Sequence, residues 1–204
     1  YAEELVVAAD AVVPKPPSLT WEQAAGLLLT GATAVHALTA AGVSAGDTVL
    51  IHGAAGGVGT MAVQLAVLRG ASVVGTASPS NHPRLRDLGA VPVAYGDGLA
   101  DRVRAAAPDG VDAALDLIGT DEAMDVSLEL VADRGRIATI ANFARGPQEG
   151  VKLLGGGPGA DPGDELRRAA RLELVELAGG GDLRVDVAAT YPLADAAQAH
   201  RDLM

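Results

Sequence analysis

The chain has 204 residues, with 26 Asp and Glu against 15 Lys and Arg, giving a formal net charge of −11 at pH 7. Such a chain lacks the clustered Lys and Arg that neutralise nucleic-acid phosphates or dock on anionic lipid. It has no Cys and is 49% apolar, which excludes disulfides, thiolate metal sites and a disordered tail.

The length permits one large domain or two small ones. Aromatic residues are scarce, with three Tyr, one Trp and one Phe. Ala, Val and Leu must therefore fill the core, and the small residues suit helices stacked closely on a sheet. Residues 1–13 read as extended segments ending at Pro14, Pro16 and Pro17, where the chain crosses between structural units. Thr20 reads as a helix N-cap, with Gln23 completing a capping box, and helical pattern continues to about Gly42. No charged residue falls between Glu22 and Asp47. Polar side chains and glycines interrupt that run, so buried helices explain it better than a membrane span.

From residue 47 short apolar runs alternate with helical stretches. Strands are predicted at 48–51, 72–77, 91–95, 111–118 and 136–141, and helices at 56–70, 82–90, 99–108 and 121–135. This alternation predicts an α/β fold, a doubly wound parallel sheet of Rossmann type. Residues 144–163 read as a Gly-rich loop with one short strand at Val151–Leu154. Asp161 and Pro162 read as the N-cap and first turn of another helix, followed by a strand over Leu183–Ala188 and a last helix over Leu193–Met204.

The most informative stretch is TVLIHGAAGGVGTMAVQLA at 48–66, a strand entering a glycine-rich turn that opens into a helix. Gly56 lets backbone approach a pyrophosphate, and Gly59 lets the helix pack on the strand. The helix N-terminus supplies N–H groups and a positive dipole end. A Walker A loop is excluded, because Thr60 rather than Lys follows Gly59. The Tyr-to-Lys spacing of short-chain dehydrogenases is absent, since Leu5, Leu99 and Asp195 lie four residues after the three Tyr. The second predicted strand runs into GTASPSNHPR at 75–84, which contains no acid to bind ribose hydroxyls. A carboxylate there would repel a 2′-phosphate; Ser78, Ser80, Asn81, His82 and Arg84 instead offer donors and positive charge. NADP(H) is favoured over NAD(H), against the plainer reading of a solvated polar turn.

These segments resemble the medium-chain dehydrogenase/reductase superfamily, in its zinc-free quinone oxidoreductase-like branch. The resemblance rests on YAEELVVAADAVVPKPPSLTWEQAA, LTGATAVHAL, VLIHGAAGGVG, GTASPSNHPRLRDLGA, VDAALDLIGTD, GRIATIANF and YPLADAAQAHRDLM, in that order along the chain. It implies that residues 1–17 are the end of a GroES-like substrate domain and a crossover, and 18–204 an NADP-binding Rossmann domain. A full member begins with a whole barrel, and its end extends further. The resemblance therefore implies the cofactor half of a longer polypeptide or a truncated product.

Carried over by position, the diphosphate lies on Ala55, Gly56, Gly57 and Val58. The 2′-phosphate meets Ser78, with Asn81 and His82 beside it, and Tyr95 sits near the adenine. Thr33 lies near the nicotinamide, flanked by Ile118, Gly119, Ala141, Asn142 and Phe143. Plainer roles compete: Tyr95 and Phe143 as packing aromatics, Thr33 as a hydroxyl bonded to its own helix. The implied chemistry is hydride transfer from NADPH to a small-molecule quinone or an electron-poor C=C. No catalytic acid or base is identified. The scattered His36, His52, His82 and His200 offer no metal-ligand spacing. The family further implies a homodimer through the sheet edge near Val151–Leu154, and a cytoplasmic location. A non-catalytic NADPH-binding or scaffold domain remains the alternative.

Overall fold

The structure is a computed structural model that describes residues 2–203. Six strands form one sheet in the order β3-β2-β1-β4-β5-β6. They are β1 (Thr48–His52), β2 (Ser72–Thr76), β3 (Val91–Val93), β4 (Ala113–Asp116), β5 (Ile137–Thr139) and β6 (Lys152–Leu153). Every pairing is parallel. The chain builds outward from β1 to β3, then returns to β4 on the other side of β1. That reversal is a topological switch point, and such sheets open a crevice at the carboxyl ends of the strands there.

Helices α1 (Trp21–Ala40), α2 (Gly57–Leu68) and α7 (Asp164–Gly180) cover one face; α4 (Leu99–Ala106) and α5 (Asp121–Leu130) cover the other. Along β1 the side chains alternate, as a pleat requires. Val49 and Ile51 join Leu38, Ala62 and Leu174 on the first face, and Leu50 joins Val103, Met124 and Ile137 on the second. Helix α1, whose one acid is Glu22 in its first turn, packs between α2 and α7. Its start is fixed by the expected capping box: Gln23 N–H donates to Thr20 Oγ1 at 3.2 Å, and Thr20 N–H donates to Gln23 Oε1 at 2.9 Å. No helix among the described residues is long and apolar enough to cross a membrane.

Several boundaries differ from the sequence expectation. Residues 2–13, expected as extended segments, join no sheet; a 3₁₀ turn at Ala9–Ala11 interrupts them between extended Ala8 and Val12, and Leu5 and Val6 are exposed. Tyr1 lies outside the described residues. The helix expected from Asp161 starts at Asp164 with Gly163 as N-cap, because Asp161 is used otherwise: its Oδ1 accepts from Gly163 N–H and its Oδ2 meets His36. The Gly-rich loop contains a short helix, α6 (Gly146–Glu149), before β6. The helix expected over 121–135 ends at Leu130, with a 3₁₀ turn at Arg134–Arg136.

No strand forms over 183–188. Leu183 and Val185 are buried with the expected alternation, but Gln64 of α2 satisfies the backbone between them. Arg184 N–H donates to Gln64 Oε1 at 2.8 Å, and Gln64 Nε2 donates to the Arg184 carbonyl at 3.1 Å. One side-chain amide thus supplies the donor and acceptor that a neighbouring strand would have offered. Two smaller helices complete the chain, α3 (His82–Asp87) and α8 (Ala196–Leu203). The latter begins later than the residue 193 expected, after a 3₁₀ turn at Leu193–Asp195; Met204 lies outside the described residues.

Candidate functional site

A cavity of about 400 Å³ opens at the carboxyl ends of β1, β2 and β4. His52 and Gly53 end β1; Ala55 and Gly56 follow in the turn; Thr76, Ala77, Ser78 and Asn81 follow β2; Tyr95 follows β3; Ile118 and Thr120 follow β4; Glu122 and Ala123 come from α5. The size falls within the ordinary range of ligand pockets.

The turn between β1 and α2 is held by backbone and by Thr76. Gly56 N–H donates to the Gly53 carbonyl at 3.0 Å, and Gly53 N–H donates to Thr76 Oγ1 at 3.2 Å. Helix α2 starts at Gly57, and no side chain caps it. The first-turn N–H groups and the positive end of the helix dipole are left for a ligand anion. Gly59 is sterically obligatory. A Cβ there would overlap the Gly53 carbonyl oxygen and stand 2.7 Å from two backbone atoms of Ala54. The helix can approach the strand this closely only where residue 59 has no side chain.

On the β2–β3 side the polar groups bond to one another at the surface. Asn81 Nδ2 donates to Ser78 Oγ at 3.0 Å, and the Ser78 and Ser80 hydroxyls are 3.1 Å apart. His82 and Arg84, expected to add donors and charge, are directed elsewhere. The His82 ring nitrogen Nε2 lies 3.2 Å from the Ala77 carbonyl, and Arg84 pairs with Asp186 at 2.8 Å. Tyr95 lines the cavity while 60% exposed. Its loop is clamped by Arg102, which donates to the carbonyls of Ala94, Gly96 and Asp97, and by Glu122, which accepts from Gly96 N–H at 3.1 Å.

On the β4–β5 side the polar groups are buried. Asp116 and Thr139 are fully buried at the ends of adjacent strands and paired in register. Ile118 and Gly119 lie on the loop after β4; Ala141, Asn142 and Phe143 lie on the loop after β5. The loops touch: Gly119 has φ +80°, and a Cβ there would meet Ala141 at 3.0 Å. Asn142 is buried and accepts from Arg145 N–H through Oδ1 at 3.1 Å. The Phe143 ring lies against Gly157.

Of the expected site residues, Ala55, Gly56, Ser78, Asn81, Tyr95 and Ile118 line the cavity; Gly57 and Val58 continue into the first turn of α2 behind it. Thr33 stands outside the lining; its hydroxyl donates to the Leu29 carbonyl at 2.8 Å and accepts from Arg167 Nη2 at 2.9 Å. His82, Gly119, Ala141, Asn142 and Phe143 stand outside the lining. Sequence reading missed Thr76, Thr120, Glu122 and the lining role of His52. Thr120 caps α5 by accepting from Ala123 N–H at 3.2 Å, a pattern recognisable beforehand as a Thr preceding an acidic first turn. Glu122 could not be found so, because its partner is a backbone group 26 residues earlier in the chain.

His52 is 1% exposed, and burial pushes its imidazole down to about 4. It is therefore neutral at pH 7, and its Nε2 has no hydrogen-bond partner. His36 is also buried and meets Asp161, whose carboxylate is held below its ordinary range by the Gly163 N–H and then by His36. Among the described residues no three His, Asp or Glu side chains come together to hold a metal ion.

The geometry fits a dinucleotide: an uncapped helix start beside a cavity, two glycines offering no side chain at its wall, and an orphaned buried nitrogen at the end of β1. Comparison with known proteins agrees. Residues 57–155 match the family model described as zinc-binding dehydrogenase. A quinone oxidoreductase from Pseudomonas aeruginosa is 34% identical over 221 aligned positions, covering 100% of this chain and 67% of that protein. A mycobacterial protein solved in complex with NADPH superposes with a TM-score of 0.77 at 35% identity, covering 96% of this chain and 65% of that one. The enoyl reductase CurK superposes with a TM-score of 0.80 at 28% identity, covering 97% of this chain and 63% of that one. The chain thus spans less than two thirds of both solved proteins, and 8% of a longer curated relative.

Proposed function

The chain belongs to the quinone oxidoreductase-like branch of the medium-chain dehydrogenase/reductase superfamily, and from that premise we propose that it binds NADPH and serves hydride transfer to a small electron-poor acceptor, a quinone or an enone-like C=C. The observation that carries the reading is the uncapped start of α2 beside a cavity at the switch point, next to an acid-free turn after β2. The match to a mycobacterial protein solved with NADPH supports the cofactor, and the matches to a quinone oxidoreductase and an enoyl reductase support the acceptor class.

When bound, NADPH supplies the hydride, and the protein orients it and excludes water. In this reading the first-turn N–H groups of α2, with Ala55, Gly56, Gly57 and Val58, hold the diphosphate. Ser78 and Asn81 hold the 2′-phosphate through the hydroxyl–amide pair already assembled there. Tyr95 lies against the adenine. Ile118, Gly119, Ala141, Asn142 and Phe143 surround the nicotinamide, with Thr33 behind them on α1.

We assign residues 1–17 to the end of a substrate domain and its crossover, and 18–204 to the cofactor domain. A homodimer goes with this reading. β6 is the outermost strand of the sheet; Asp161 bridges it at Leu154, so a second copy would join the edge beside that bridge, near Val151–Leu154. Light scattering after size-exclusion chromatography tests it, and a monomer at high concentration would remove it. A cytoplasmic location, where NADPH is kept reduced, accompanies the proposal and is checked by fractionation.

The decisive experiment is NADPH fluorescence enhancement, followed by NADPH oxidation with a simple quinone. Binding with turnover supports the full reading. Binding without turnover confines the chain to cofactor binding, and absence of binding overturns the proposal.

A further inference from the structure

Four buried polar residues stand at the carboxyl ends of four neighbouring strands: Thr76 on β2, His52 on β1, Asp116 on β4 and Thr139 on β5. His52 is in register with Asp116, and Asp116 with Thr139. Apart from one bond between Asp116 and Thr139, the side-chain ties from this row go to the backbone of loops leaving the sheet. Thr76 Oγ1 holds Gly53 N–H. Asp116 Oδ1 accepts from Ile118 N–H at 3.1 Å and from Gly119 N–H at 2.7 Å. Asp116 Oδ2 accepts from the Thr139 hydroxyl at 2.9 Å. Thr139 Oγ1 in turn accepts from Ala141 N–H at 3.2 Å and Asn142 N–H at 2.9 Å.

The direction of these bonds decides what the carboxylate does. A hydroxyl has one proton and two lone pairs. Because Asp116 takes the proton of Thr139, both lone pairs remain for the two amides of the β5 loop. The same carboxylate takes two amides of the β4 loop through its other oxygen. One buried group therefore sets the conformation of both loops and the distance between them. This agrees with their contact at Gly119 and Ala141.

We propose that Asp116 is a positioning residue that, through Thr139, fixes the β4 and β5 loops as one preformed wall for the nicotinamide half of the cofactor. The naming of that half rests on the NADPH reading; the tie between the loops does not. Asp116→Asn breaks it specifically. If the amide oxygen keeps Ile118 and Gly119, the amide nitrogen faces the Thr139 oxygen and can only donate. The hydroxyl then loses its acceptor, and a lone pair needed by Ala141 or Asn142 is consumed.

The test is residue-resolved amide exchange on the whole chain, with NADPH and 2′,5′-ADP titrations alongside. In Thr139→Val, exchange at Ala141 and Asn142 should rise about tenfold or more, the loss of one hydrogen bond's protection. In Asp116→Asn it should rise at the Ala141 and Asn142 amides, which then compete for one lone pair of Thr139, while Ile118 and Gly119 stay near wild type. Thr139→Ser, which keeps the hydroxyl, should restore wild-type exchange. NADPH should bind about tenfold more weakly to Asp116→Asn and Thr139→Val, roughly 1.4 kcal/mol. Binding of 2′,5′-ADP, which carries only the adenosine half, should not change. Unchanged loop exchange, an equal rise at the Val49–Ile51 amides, or failure of Thr139→Ser to rescue would each overturn the proposal. If wild-type protein binds no NADPH, the functional reading fails, and the exchange data still decide the role of Asp116.

Discussion

The two sides of the cleft are built on opposite principles. On the β4–β5 side, Asp116 and Thr139 are buried and spend their hydrogen bonds on loop backbone. On the β2–β3 side, Ser78, Ser80 and Asn81 bond to one another, and Tyr95 is mostly exposed. A buried polar group without a partner is costly, so the first side is held in a single arrangement before a ligand arrives. The second can exchange its internal bonds for water or a ligand at little cost. The difference teaches that the end of the cleft where chemistry would occur is preformed, and the end that would select the cofactor is adaptable.

The most damaging test of this contrast lies at the seam between the sides, in the turn that carries both. Gly59→Ala places a Cβ into the Gly53 carbonyl and the Ala54 backbone, which cannot swing away as a flexible side chain could. It should cost roughly 3 kcal/mol or more, the upper end for overpacking, read by urea denaturation. NADPH binding should vanish with it. A loss of less than about 1 kcal/mol would mean that the turn yields, and is not part of a preformed wall.

Next in size is the acid response at the same seam, where His52 ends β1. His52 has its ordinary value of 6.5 when unfolded and about 4 in the fold, because burial disfavours the imidazolium. Between those values the unfolded chain binds a proton that the folded chain refuses. Stability must therefore rise with pH from about 4 to about 6.5, by roughly 3 kcal/mol over the window. In His52→Gln, which cannot titrate, that rise should disappear. Below pH 4 both proteins should weaken together, since Asp47 and Asp161 are held below their ordinary values by Arg136 and by the Gly163 N–H, and their contributions fade as they protonate. Denaturation midpoints between pH 4 and 7 decide the matter. A flat wild-type profile would place His52 in contact with water.

What could be read in the sequence follows the same division. Local signals gave the strand–turn–helix at 48–66, the parallel sheet and the capping box at Thr20, because each depends on residues a few positions apart. The glycine at 59 was legible because the requirement it meets is made by its own turn. Asp116 was read only as a strand residue, since its partners lie on two loops and a neighbouring strand. Gln64 carries no signal of its own in the sequence, yet its amide replaces the neighbouring strand that 183–188 would have needed. Thr33 is expected near the cofactor, and its hydroxyl bonds to the Leu29 carbonyl and Arg167. Periodicity cannot announce a bond across 134 residues.

The smallest expected effect probes the adaptable side. Ser78 Oγ is the centre of its network: it accepts from Asn81 and lies beside Ser80. Ser78→Ala removes that centre, but water can take over the exposed amide and hydroxyl left behind. Stability should therefore change by no more than about 0.5 kcal/mol, as at other surface positions. The 2′-phosphate would lose one direct donor and the partner that orients Asn81. NADPH affinity should fall about tenfold, or about 1.4 kcal/mol, with NADH affinity unchanged. Arg84 gives a control: it is engaged with Asp186, so Arg84→Gln should alter the NADPH-to-NADH ratio far less than Ser78→Ala. Fluorescence titration of both cofactors against both variants measures it. Equal losses for NADPH and NADH in Ser78→Ala would mean that Ser78 shapes the loop as Asp116 shapes its own, and the contrast between the two sides would fall.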